Sequence, residues 1–275
     1  MRQKLAMAGT SYIQGHDAAT LQSHQSRSAK KQADYLLPHI RSDSHILDVG
    51  CGPGTITIDF ATYAVQGKVI GVDSSSEVIE QAKEEAIKRK MSKEVTFEVA
   101  GAHDLPYPDN GFDIVHCHAV LVHLPDPVAA MKEMRRVCKK GGLIAAREPD
   151  WSTCVIHPYY AKLERWKEVF GQLKRNEGAE PNAGRHLSEW AVNAGFSSDD
   201  VTLAANVLSY SGREQVKWWG ELYSSRVKTE MGKRAVSSGL ATKQEVEQFS
   251  KAYLDWSKEQ SAIWAMMHMR LLCRK

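Results

Sequence analysis

Residues 48 to 54, Asp48-Val49-Gly50-Cys51-Gly52-Pro53-Gly54, decide the fold. They close the short apolar run from His45 to Gly50 and lead into CGPGTITIDFATYA, whose apolar spacing turns from that of a strand to that of a helix. A strand that stops in alternating glycines and becomes a helix at once brings main-chain N–H groups close to a ligand. The positive end of the helix stands behind them.

Outward from this turn the same alternation repeats. KVIGVD (68–73), VTFEV (95–99), FDIVHC (112–117) and LIAARE (143–148) are apolar enough for buried strands. Ser74-x-x-Glu77 reads as a capping box opening a helix to about Lys90. Asp126 and Pro127 open another that ends in Lys139-Lys140-Gly141-Gly142. Upstream, a helical pattern from Asp17 to Leu37 is stopped by Pro38. Strands separated by helices imply right-handed crossovers and a doubly wound α/β domain.

Beyond Pro149 the composition changes: all seven tryptophans lie at or after Trp151. Helical segments are expected near 158–175, 185–194, 213–236 and 242–260, the last opened by Thr242-x-x-Glu245. Val201 to Tyr210 reads as a sixth strand, and Ala262 to Cys273, ambiguous between helix and strand, is assigned as a seventh. The expected sheet is therefore mostly parallel and seven-stranded. The expected division is an N-terminal lid helix (1–40), a cofactor-binding core (41–210), a helical acceptor lid inserted between two edge strands (211–260) and a final core strand (261–275).

The chain has 275 residues with 36 basic and 33 acidic side chains, a formal charge of +3 that gives no nucleic-acid footprint. No run approaches the roughly 18 apolar residues of a membrane span, and the N-terminus lacks the apolar run of a signal peptide. Five scattered cysteines without a C-x-x-C pair point to free thiols and a cytoplasmic protein. The expected partner is a small molecule, with no nucleic acid, no membrane span and a monomeric or homodimeric state.

Two ligand classes use such a glycine turn: dinucleotides through their pyrophosphate, and S-adenosylmethionine, which has no phosphate. Asp48 would repel a pyrophosphate and attract an ammonium or sulfonium. The spacing is G-x-G-x-G rather than G-x-G-x-x-G, and no Lys or Arg in the loop serves a phosphate. Asp73, 19 residues past Gly54, stands where both ribose hydroxyls are accepted.

ILDVGCGPGT, GVDSS, LPYPDNGFDIV and HLPDP...MRRVCKKGG together resemble class I S-adenosylmethionine-dependent methyltransferases. They are most similar to the ubiquinone and menaquinone-biosynthesis branch and its small-molecule relatives, among them fungal thiol S-methyltransferases. The likeness runs from about Tyr12 to Glu148 and implies a Rossmann-like core with S-adenosylmethionine as cofactor. It implies that Gly50, Cys51, Gly52, Gly54 and Asp48 hold the methionine end and Asp73 the ribose. Ser74, Val78, Ala102 and His103 would lie by the adenine, though Gly101 stands where the family has an acid. Cys117 and His118 would face the methyl donor. In the lid segment, Tyr12 and Arg27 would close over the cofactor, Arg27 by pairing with its carboxylate or, alternatively, standing as a solvated helix residue.

Methyl transfer from a sulfonium is an in-line displacement needing alignment and exclusion of water. A dry aromatic pocket suits the fading positive charge. Trp151, Trp218, Trp219, Tyr223 and Met266 are the acceptor-pocket candidates. Adjacent helical positions point about 100° apart, so Trp218 and Trp219 cannot share one face. A base is needed only for an acceptor of high pKa; His123 and His118 are the candidates, with a structural helix start as the alternative for His123. No carboxylate pair completes His116, Cys117, His118 and His123 into a metal site, so no metal is expected. The expected acceptor is a small hydrophobic molecule methylated at a thiol or other heteroatom. A quinone-ring C-methyltransferase and a cofactor-binding regulator without activity are the alternatives.

Overall fold

The computed structural model describes residues 26–275. Five parallel strands form the first part of the sheet: β1 (His45–Val49), β2 (Lys68–Asp73), β3 (Val95–Val99), β4 (Phe112–His118) and β5 (Cys138–Pro149). After the short β6 (Val155–His157) come two long antiparallel strands, β7 (Val201–Ser211) and β8 (Ile263–Arg274). The sheet order is β3-β2-β1-β4-β5-β8, with β7 on the far edge of β8. β6, which the sequence pattern did not reveal, pairs with the start of β8 and makes the sheet eight-stranded.

Strand parity divides the core. Ile46 of β1, Ile114 of β4 and Ala145 of β5 pack with α1 (Ala29–Gln32), α2 (Thr55–Ala61) and α3 (Ser76–Lys88). Leu47, Val49, Val115, Cys117, Ile144 and Ala146 face α4 (Pro127–Val137) and α6 (Ala183–Asn193) on the other side. A third apolar cluster stands apart. It joins α5 (Ala161–Asn176) to α7 (Arg213–Lys228), α8 (Glu230–Ser237) and α9 (Lys243–Trp256) around the fully buried Trp166, Trp256 and Trp264. The helices inserted between β7 and β8 thus share their core with α5, which the sequence reading had left with the preceding segment.

Local chemistry explains the boundaries and corrects three of them. Asp126 caps α4 by accepting from Ala129 N at 2.9 Å, and Thr242 with Glu245 forms a reciprocal capping box on α9. The cap of α3 is Ser75, not Ser74: Asp73 takes the Ser75 N–H at 3.0 Å and shifts the helix start by one residue. α4 ends at Val137, and Lys139 to Gly142 belong to β5. The first part of the helix expected from Asp17 to Leu37, up to residue 25, lies outside the described residues. Within them only Ala29–Gln32 is α-helical, and Pro38 sits inside a separate 3-10 turn, Leu37–His39. Among the described residues no helix is long and apolar enough to cross a membrane.

Candidate active site

The turn after β1 is built for close approach. Gly50, Gly52 and Gly54 have φ of +68°, +55° and +78°, a region that side chains disfavour. A Cβ on Gly50 would lie 2.4 Å from Val120, whereas one on Gly52 would meet nothing within 4 Å. Gly50 is thus fixed by packing against the turn after β4, and Gly52 leaves its backbone open to a ligand. Asp73 reaches across from the end of β2, accepting Gly52 N–H at 3.1 Å and Ser75 N–H at 3.0 Å. Its carboxylate stands beside the loop, half-buried, at the position that suits a pair of vicinal hydroxyls. Val78 is buried on the first turn of α3, and Ser74, exposed, precedes its cap Ser75. Ala102 and His103 follow β3, His103 bonding Asp126 O through Nε2 at 2.8 Å. Cys51 is buried in the loop itself.

Two expectations are corrected by strand parity. Asp48 does not point at the loop opening: it is 2% exposed, and its oxygens take Thr57 Oγ1 at 2.6 Å and His116 Nδ1 at 2.7 Å. Cys117 turns into the core against α4 and α6, fully buried, and does not face a methyl donor. Burial pushes its thiol well above the usual range. Its neighbour His118 points the other way, into a cavity.

That cavity, about 960 Å³ counted out to its mouth, lies beyond the C-terminal ends of β4 and β5. Such a position is where ligands gather in open α/β sheets. Its apolar wall includes the aromatic Trp151, Trp219 and Tyr223 and the thioether of Met266, four of the five acceptor candidates. Trp218, on the next helical position, lies off the lining and packs on Tyr210 with ring centres 5.6 Å apart. Tyr210, stacked on Trp219 at 4.2 Å, and Trp264 complete the wall. Arg27 lies at the cavity; Tyr12 is outside the described residues.

The polar part of the cavity is basic. His118 Nδ1 bonds Arg147 O at 3.2 Å and its Nε2 meets Arg147 Nη1 at 3.4 Å. Burial, reinforced by Arg27 and Arg147, holds the imidazole well below its usual pKa, so it is neutral at pH 7. Lys174 of α5 is 2% exposed, with Nζ 3.0 Å from His123 Nδ1 and 3.4 Å from Val122 O. Burial lowers its ammonium to about 7. Behind it the fully buried Glu148 accepts the N–H groups of Val120, Leu121 and Val122 at 2.9, 3.0 and 3.2 Å. Burial raises this carboxyl to about 7. These bonds, with Ala119 held at φ +54° and its N–H on Arg147 O, fix the turn that carries His123.

Sequence reading missed Arg147, Lys174, Arg226, Trp264 and His268, all at the cavity. The signal for two of them was available. Trp264, Met266 and His268 alternate along β8, so once Met266 faces the cavity its neighbours two residues away do too. Lys174 and Arg226 lie on helices whose solvated and buried faces carry the same residue types.

Residues 40–224 match the family model described as a methyltransferase domain. An uncharacterised methyltransferase of Schizosaccharomyces pombe is 37% identical over 78% of this chain and 79% of its own. A probable methyltransferase of Aspergillus luteorubrus is 33% identical over 96% and 97%. A demethylmenaquinone methyltransferase of Staphylococcus haemolyticus is 30% identical over 65% of this chain and 72% of its own. Among solved structures, a putative methyltransferase from Bacillus halodurans superposes with a TM-score of 0.57 at 17% identity, over 95% of this chain and 99% of that one. The glycine turn, the aspartate beside it and these relatives agree: the chain belongs to the methyltransferase-domain family and is an S-adenosylmethionine-dependent methyltransferase of class I.

Proposed function

We propose that this enzyme methylates a heteroatom, foremost a thiol, on a small hydrophobic natural-product acceptor. The observation that carries the reading is one cavity that joins an apolar wall, Trp151, Trp219, Tyr223 and Met266, to the Lys174–His123 pair at the end of β4.

When bound, S-adenosylmethionine supplies a methyl group on a sulfonium. The backbones of Gly50, Cys51, Gly52 and Gly54 would hold its methionine end and Asp73 its ribose hydroxyls, with Ser74, Val78, Ala102 and His103 beside the adenine. Arg27 stands at the cavity, where it would pair with the cofactor's carboxylate. Asp48, committed to Thr57 and His116, acts behind the loop by fixing the turn and by its charge. The helices inserted between β7 and β8 serve as the acceptor lid and keep water out.

Lys174 and His123 take the acceptor's proton. Above about pH 7 the lysine is neutral and has a lone pair to offer. Neutral His118 stays a hydrogen-bonding wall of the site. A thiol has a pKa of about 8.5 and needs little such help. Five free and buried cysteines fit the thiol-reducing cytoplasm as its place of action.

The second reading is ring-carbon methylation of a quinol. It is favoured by the relatives named demethylmenaquinone methyltransferases and by the presence of a base, which that chemistry demands. Methyl release from labelled S-adenosylmethionine, measured on thiols, phenols and quinols with product masses, decides between them. Turnover on quinols with none on thiols overturns the first reading.

A further inference from the structure

The wall made by β5 and β8 has a feature that methyl transfer to a neutral acceptor does not use. Arg147 is 1% exposed and lines the cavity. Its hydrogen-bond partners are His118 Nε2 at 3.4 Å and Asn206 Oδ1 at 3.2 Å, both uncharged, while its Nε has none among the described residues. His268, 5% exposed and on the same face, has neither ring nitrogen bonded among the described residues. Two cations, Arg270 and Arg27, act against the charge of Arg147; Tyr35 and Asp34 act for it, and Asp34 is itself paired with Arg270 at 2.8 Å. A buried guanidinium is expensive unless an anion meets it, and a buried polar group is normally hydrogen-bonded. Both requirements are met together by an oxyanion reaching Arg147 Nε and His268.

We infer that the acceptor carries an acidic head of carboxylate type, which docks between Arg147 and His268 while its apolar body lies against Trp219 and Trp264. The inference rests on the methyl-transfer reading of this cavity and narrows it to a substrate class. Lys174 meets His123 Nδ1 and Val122 O in the turn after β4, whereas Arg147 meets His118 and Asn206. An acceptor can thus be held at one end and deprotonated at the other. The same basic wall repels ammonium acceptors, although aromatic rings alone would attract them.

The test separates docking from chemistry. Calorimetry on full-length enzyme saturated with S-adenosylhomocysteine compares 4-(methylthio)benzoate, its methyl ester and 4-(methylthio)benzylamine. The acid should bind about tenfold or more tighter than the ester, as a charge-assisted hydrogen bond allows, and the amine weakest. Arg147→Gln should bring the acid to the level of the ester, with melting temperature and S-adenosylhomocysteine affinity as checks on folding. Should that variant not fold, the wild-type comparison decides alone. Equal binding of acid and ester, binding of neither, or a preference that survives in a folded Arg147→Gln overturns the inference. Because these ligands accept no methyl at sulfur in the assay, failure here is distinct from failure of the thiol reading, which is read by methyl release.

Discussion

Lys174→Met isolates the proton-accepting pair. Lys174 is 2% exposed, and methionine fills a similar volume without the nitrogen, so the α5 packing is kept while the contact with His123 Nδ1 is lost. The magnitude follows from the acceptor. At pH 7 a thiol of pKa about 8.5 is only about 3% ionised, so a base beside it gains at most about thirtyfold. At pH 9.5 the thiol ionises unaided and the advantage vanishes. The sign of the lysine's own titration agrees: its ammonium is held down to about 7 by burial, so the basic form grows as pH rises through 7. Initial rates with a saturating alkyl thiol, measured from pH 6.5 to 9.5, should show a deficit in Lys174→Met of ten- to thirtyfold near pH 7, shrinking to within about twofold at pH 9.5. A deficit of constant size across that range would mean that Lys174 is structural, and no deficit at pH 7 would mean that the pair takes no proton.

Three other outcomes are expected. Asp73→Ala removes the acceptor of the Gly52 and Ser75 N–H groups together with the ribose contact proposed above. S-adenosylhomocysteine affinity by calorimetry should fall by at least about tenfold, and an unchanged titration would refute the role. Trp219→Ala should raise the acceptor KM more than the cofactor's, whereas Trp218→Ala, off the lining, should raise it less; equal effects would count against the lid. The folded Glu148 carboxyl keeps its proton up to about 7, but the unfolded one loses it near 4.3, so this group's stabilisation is lost as pH rises through 7. Urea unfolding between pH 5 and 7 should show that decline in the native enzyme and a flatter profile in Glu148→Gln.

The cofactor half was legible in the sequence because its signals are local. A strand ending in Gly-x-Gly-x-Gly and an aspartate closing the next strand each sit within a few residues of what they serve. Errors there came from geometry one residue wide. Asp48 and Cys117 were assigned to the ligand by their position at strand ends, and the pleat turned both inward. Ser74 lost the cap because Asp73 captured the next amide. The acceptor half was less legible because it is assembled from β5, α5, α7 and β8, far apart in the chain. Aromatic residues were recoverable as a class, but adjacent Trp218 and Trp219, expected to face apart, both pack on Tyr210 and the same apolar cluster, and only Trp219 reaches the cavity lining. Lys174 and Arg226 carry no local pattern that marks a buried basic residue.

The third apolar cluster shares few residues with the two that flank the sheet, and β8 is where they meet: Trp264 and Met266 belong to one, Leu271 and Cys273 to another. The tryptophan-rich lobe therefore has a core separate from the one that holds Cys51 and Ile56 beside the glycine turn. Under the reading proposed above, substitutions in α7 to α9 should change which acceptor is methylated and leave the affinity for S-adenosylhomocysteine unaltered.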